Sequence, residues 1–170
     1  MQPYIKKYVS VLFLAMVSTF LAFKTSAQTY VKQVVNYEVS PIMSQVDSLK
    51  KAYSQQGFIV VKEAPMAMES EYEIPVIVPL KEGTWYKVVF IGEITSKLYE
   101  VRMFDNNEKQ VVYQKKMWGD VDGNIINYDY IPRFTEYHMI RPVQVNKKKK
   151  QVSGYIMLFK KYIKQEVKTN

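Results

Sequence analysis

From Phe58 to Phe159 the chain changes character about every ten residues, an apolar or alternating run giving way to a short polar turn. That rhythm admits an antiparallel β-sandwich or jelly roll and little else. Phe58 to Lys62 is short and β-branched, and in Glu71 to Leu80 the residues Tyr72, Ile74, Val76 and Val78 fall on one face. Pro75 and Pro79 fall on the opposite face, and proline cannot donate to a ladder, so this run is expected at an edge or a bulge. Trp85 to Ile91 is apolar at almost every step except Lys87, the pattern of a central strand buried on both faces. Leu98 to Phe104, Val111 to Tyr113, Ile125 to Ile131, Tyr137 to Val145 and Val152 to Phe159 continue the series. Asp105-Asn106-Asn107, Gly119 to Asn124 and Lys147 to Lys150 supply turns between them.

One helix precedes the strands. Ser40-Pro41 places a capping oxygen before proline at the first helical position, and Gly57 suits a left-handed terminus. Between them Ile42, Val46, Leu49 and Tyr53 share a face, which predicts a helix over about 41–56 packed on a sheet. The expected organisation is a single mainly β domain over 40–160. Residues 28–39 form a leader that pairs as an edge strand or stays mobile, and 161–170 form a polar tail.

The N-terminus sets the expected compartment. Lys6 and Lys7 precede an apolar run from Val9 to Phe23, and Thr25-Ser26-Ala27 then provides small residues before Gln28. These are the parts of a cleavable signal peptide over residues 1–27, with an uncleaved anchor as the alternative. The run is short for a bilayer core that needs about 20 residues. No second apolar stretch approaches that length, so the mature chain is not expected to span a membrane.

Loss of Lys6, Lys7 and Lys24 with the signal reduces 24 basic residues to 21, against 16 acidic, a formal +5. Cysteine is absent, which excludes disulfides, a thiol nucleophile and thiolate metal sites. An exported domain without disulfides fits a bacterial envelope, and export together with the spread of charge argues against nucleic acid. Lys147, Lys148, Lys149 and Lys150 form the one dense basic run, read as a solvated turn or as a contact for an anionic surface.

Residues Gly83-Thr84-Trp85-Tyr86 and Tyr99-Glu100-Val101-Arg102-Met103-Phe104-Asp105-Asn106-Asn107 carry a family likeness, as do Tyr137 to Ile140 and Ser153 to Leu158. With them the segment 83–160 resembles bacterial extracytoplasmic modules of the pre-peptidase C-terminal type. The resemblance implies a jelly-roll-like sandwich that binds, spaces or stabilises, with no catalytic residues to carry over. A second resemblance is to the C-terminal sorting domains of type IX secretion. The entrance motif of those domains is missing, so the periplasm is the expected address, with the cell surface or exterior as alternatives.

His138 is the single histidine and is expected on a solvent-facing strand position, and nothing in the spacing joins it to Ser153 or Asp129 as a triad. Asp120, Asp122 and Asn124 alternate as a calcium loop would, but Gly123 stands fourth and Ile131 twelfth, where an EF-hand needs glycine sixth and glutamate twelfth. Asp122-Gly123 therefore reads as a tight turn. Glu69, Glu71 and Glu73 alternate as edge protection does. No cofactor is expected, and the chain reads as a non-enzyme.

Aromatic side chains are the remaining lead. Tyr113, Trp118, Tyr128 and Tyr130 bracket the Gly119 to Asn124 loop, and flat rings at a sandwich rim stack on sugars or anchor protein contacts. The expected function is a non-catalytic accessory subunit of an envelope assembly whose partner is another envelope protein. Strand addition at Glu71 to Leu80 or through the leader is the expected mode. The alternative is a carbohydrate-binding module using those aromatics.

Overall fold

The structure, a computed structural model, describes residues 41–121 and 123–162. The expected signal, leader, Ser40 cap, Asp122 and the tail beyond residue 162 lie outside the described residues. Helix α1 spans Pro41–Gln55 and is followed by strands β1 (Phe58–Glu69), β2 (Val76–Leu80), β3 (Tyr86–Gly92) and β4 (Leu98–Phe104). Strands β5 (Gln110–Met117), β6 (Ile125–Tyr130), β7 (Glu136–Val145) and β8 (Gln151–Lys161) complete the fold. Two four-stranded sheets result, ordered β1-β8-β3-β6 and β2-β7-β4-β5, with every ladder antiparallel. The order interleaves two Greek keys, the jelly-roll arrangement. Among the described residues no helix is long and apolar enough to cross a membrane.

The central strand behaves as its composition requires. All seven residues of β3 are buried, because each of its faces meets a different apolar layer. Tyr86, Val88 and Phe90 enter the core between the sheets with Tyr99, Val101, Met103, Ile126 and Ile140. Val89 and Ile91 point the other way, against Ile42, Val46 and Tyr53 of α1. Fully burying an aliphatic or aromatic side chain stabilises by about 1.5–3 kcal/mol. The helix ends at Gly57, whose φ of 77° suits the residue without a Cβ. Lys87 survives in this layer because its ammonium meets Asp129 at 2.6 Å and lies over the Tyr53 ring.

Several boundaries differ from the sequence reading, among them Val111 to Tyr113, which extends to Gln110–Met117 as β5. β1 runs to Glu69, well past Lys62, and Pro65 is tolerated because β1 is an edge strand. The Glu71 to Leu80 strand begins only at Val76, since Glu71 adopts a φ of 75° and turns the chain from one sheet to the other. Tyr72 is consequently 63% exposed, although Val78 lies in the core as its alternation implies. Lys160, beyond the expected end of the last strand, and Lys161, assigned to the tail, complete β8.

Sheet contact leaves no room for a side chain at Gly92. A Cβ there would stand 2.6 Å from the Tyr99 ring and 3.0 Å from Gln144 Oε1. Gly92→Ala should therefore lower stability by about 1–3 kcal/mol, the range for overpacking. A urea midpoint unchanged from the parent chain would contradict that close approach.

Candidate functional site

At the end of the sandwich where β3 turns into β4, two turns and the start of α1 come together. The β3–β4 turn closes through Ser96 N–H donating to the Glu93 carbonyl at 2.9 Å. Gln144 on β7 anchors it from inside: its Oε1 accepts from Glu93 N–H at 2.8 Å and from Ser96 Oγ at 3.0 Å. The Tyr99 hydroxyl lies 2.8 Å and 2.9 Å from the carbonyls of Glu93 and Ser96. Burial, helped by the Glu93 charge, pushes the Tyr99 phenol up to about 12, so it stays a neutral donor.

The β5–β6 loop is joined to this turn by Trp118 N–H donating to the Lys97 carbonyl at 2.9 Å. Asp120 Oδ2 accepts from Met117 N–H at 2.7 Å, and Gly119 takes a φ of 98°. The helix adds the third side. Gln45 Nε2 donates to Asn124 Oδ1 at 3.2 Å, and Asn124 Nδ2 returns a bond to Gln45 Oε1 at 2.8 Å. A cleft of about 210 Å³ opens between Ile94, Tyr99, Trp118, Asp120 and Asn124. A smaller one of about 120 Å³ lies on the helix side of Ile94, beside Pro41, Gln45 and Ser153.

Trp118 is the aromatic candidate that the structure sets on this rim, 70% exposed. The other three do not join it. Tyr128 is 7% exposed, with its hydroxyl donating to Met103 Sδ in the core. Tyr130 is half-buried, its hydroxyl 3.1 Å from His138 Nε2. Both occupy positions of β6 whose alternation turns inward, leaving Asn127 and Asp129 to solvent. Tyr113 is exposed but lies on the outer face of the second sheet, its hydroxyl donating to Glu100 at 3.2 Å.

His138 also corrects expectation. It is 1% exposed, because the register of β7 turns Tyr137 and Met139 outward and His138 in. Among the described residues its Nδ1 has no hydrogen-bond partner, and Glu136 Oε1 lies 3.8 Å from Nε2. Of the oxygen-bearing residues whose alternation is like that of a calcium loop, Asp120 caps the turn and Asn124 holds Gln45, while Asp122 is among the residues not described. In the lysine turn Lys149 pairs with Glu93 at 2.8 Å and Lys150 with Glu69 at 3.2 Å, leaving the exposed Lys147 and Lys148 to face water. Ile94 and Gln144 were not singled out from sequence. An apolar residue within Glu93-Ile94-Thr95-Ser96, a polar turn, was the available signal for the first.

A second polar cluster covers the outer face of the sheet containing β4. Glu73 accepts from Arg102 at 2.9 Å and Arg141 at 3.4 Å, and Arg102 also bonds Glu100 at 2.8 Å. Burial works to raise the Glu100 carboxyl, but hydrogen bonds from Arg102 and Tyr113, with the charges of Arg102 and Lys115, outweigh it and hold it below the usual carboxylate range.

No protein-family model and no curated protein matches this chain. Among solved structures it is similar to Aeromonas hydrophila PliG, a periplasmic lysozyme inhibitor of g-type lysozyme, with 12% identity, TM-score 0.44, and coverage of 59% of this chain and 85% of that one. The Yersinia pseudotuberculosis-derived mitogen is similar at 8% identity and TM-score 0.39, covering 63% and 90% of the two chains. The Clostridium thermocellum xylanase 10B fragment with its CBM22-1 and GH10 modules gives 11% identity and TM-score 0.33, over 63% of this chain and 26% of that one. Likeness at this level assigns no function.

A depressed folded-state carboxyl stabilises above its unfolded value, near 4.3 for glutamate, and that contribution is lost as pH falls through the folded value. Glu100→Gln should therefore be less stable than the parent at neutral pH, with the difference narrowing as pH drops below about 4. Urea midpoints measured from pH 7 to pH 3 check this, and a gap that stays constant would contradict it.

Proposed function

We propose that this chain is a non-catalytic, exported accessory subunit of a bacterial envelope assembly, and that it grips a protein partner with the end of the sandwich bearing Ile94 and Trp118. The observation that carries this reading is the exposure of large apolar side chains on adjoining turns: Ile94 at 54%, Met117 at 58%, Trp118 at 70% and Val121 at 87%. Tryptophan held on a backbone-bonded turn has the character of an interface anchor, with large contact area and little freedom to lose. The polar groups around it are occupied in holding the turns, as the partners of Tyr99, Asp120 and Asn124 illustrate.

The strand-addition route through β2 is less favoured than this end. β2 has five residues, and Lys62 Nζ donates to the Ile77 carbonyl on it at 2.8 Å. A carbohydrate-binding role is the second reading, favoured by the Trp118 ring standing beside a cleft that also presents Asp120 and Asn124.

Cross-linked recovery from intact envelope with the full-length chain separates the two. The protein-partner reading predicts one defined assembly at fixed stoichiometry. Trp118→Ala should weaken its recovery by about thirtyfold, the ~2 kcal/mol expected of an aromatic hot spot. Retention on polysaccharide that disappears with Trp118→Ala, and no protein recovered, would replace it with the glycan reading.

A further inference from the structure

The ladder itself joins the Trp118 end of the molecule to the lysine turn. Leu98 pairs with Met117 on one side and with Val145 on the other, so these three residues stand abreast across β5, β4 and β7. Lys97, Trp118 and Asn146 are the next residues outward on the same three chains. Neighbouring strands lie about 4.8 Å apart, which puts ~10 Å of backbone between Trp118 and Asn146, with Lys97 in the middle. Lys97 N–H donates to the Val145 carbonyl at 2.8 Å, and Trp118 N–H to the Lys97 carbonyl at 2.9 Å. Asn146 then fastens the lysine turn to the turn bearing Ile94. Its Nδ2 donates to Thr95 Oγ1 at 2.9 Å, and its Oδ1 accepts from the N–H groups of Lys148 and Lys149 at 3.0 Å and 3.1 Å.

The charges on these turns are not equally engaged. Glu93 accepts from Lys149 at 2.8 Å and from Ser153 N–H at 3.3 Å. Glu69 pairs with Lys150, and Asp120 caps the Met117 N–H. Lys97, Lys147 and Lys148 are exposed and make no ion pair among the described residues. Glu71, exposed beyond the lysine turn, is the acid in the same condition. The acids nearest the apolar rim are thus used up in holding the turns, while three ammonium groups beside it are left over. Unpaired cations on one flank of an apolar patch repel a basic surface and complement a carboxylate-bearing one. With ionic screening over about 8 Å, three charges this close act on an approaching partner together.

We propose that the partner of this end is an acidic protein surface, in which an apolar pocket takes Trp118 and carboxylates at its edge meet Lys97, Lys147 and Lys148. This rests on the reading of the Ile94 and Trp118 end as a protein-contact surface and adds the chemistry of what it contacts. The two kinds of group do different work. Rim charges accelerate encounter and fix orientation, so they govern association and its dependence on salt. The desolvated aromatic anchor governs how long the complex lasts.

The test immobilises the protein identified by cross-linked recovery and reads the rates at which the full-length chain binds and leaves it, at ~0.05 M and ~0.5 M ionic strength. Lys147→Glu combined with Lys148→Glu should slow association about tenfold at the lower ionic strength and leave dissociation within about twofold. That difference should vanish at the higher ionic strength. Lys97→Glu, on a separate turn, should act in the same direction, and Trp118→Ala should instead speed dissociation. Lys109→Glu, in the β4–β5 turn at the opposite end, should change neither rate. Lysine reversals that leave association unchanged, while Trp118→Ala still speeds dissociation, would overturn the acidic partner alone. Recovery of no protein would overturn it together with the protein-contact reading. Binding to phosphatidylglycerol vesicles that the reversals abolish would then assign these lysines to a membrane surface.

Discussion

A single buried amide ties together the end of the sandwich that bears Ile94 and Trp118. Gln144 is fully enclosed between the sheets, and every polar atom of its side chain is engaged. Its oxygen holds the β3–β4 turn, while its nitrogen donates to the Ser153 carbonyl on β8 at 3.0 Å and to Met68 Sδ on β1 at 3.3 Å. One side chain from the second sheet thus meets three parts of the first sheet and its turn. An unsatisfied buried amide costs about 1–3 kcal/mol, so this geometry is tightly specified. The exposed Ile94 and Trp118 owe their positions to it, Ile94 directly on the held turn and Trp118 through its bond to the Lys97 carbonyl.

The two sheets are covered differently, and this determines where contact is available. α1 covers the outer face of the first sheet with Ile42, Val46 and Tyr53, which lets β3 be apolar on both sides. The second sheet has no such cover among the described residues, and its outer face carries Arg102, Arg141, Glu73 and Glu100 in one hydrogen-bonded lattice. A face whose charges satisfy each other has little left for a partner, whereas the apolar turns at the sandwich end have nothing to satisfy them but burial.

Strand identity was legible because β3 is apolar at every step but Lys87 and β4 alternates, and Gly57 marked the helix end. The order of strands was not, since jelly-roll pairing joins residues as distant as Phe58 and Lys161. Local pattern also misplaced His138. Tyr137 and Met139 share the outward face of β7, but histidine's polarity suggested water where the register demanded the core, and a bond to Tyr130 made burial tolerable. Of the four aromatic candidates, Trp118 alone stands at the sandwich end, because Tyr128 and Tyr130 follow the inward phase of β6 and Tyr113 the outer face of β5. Gln144 gave no sequence signal, as its value comes from four partners, Glu93, Ser96, Met68 and Ser153, set apart from it along the chain.

The account's central claim is that this buried amide builds the exposed end, and Gln144→Met tests it most directly because it keeps side-chain length while removing both polar atoms. Backbone and indole resonances, with amide exchange, would be compared between this variant and the parent chain. The account predicts that Glu93 N–H loses its protection and that the resonances of Ile94 and Trp118 shift, while the β1–β8 ladder around Val60 and Phe159 is unmoved. Unchanged resonances at Ile94 and Trp118, with Glu93 still protected, would contradict it.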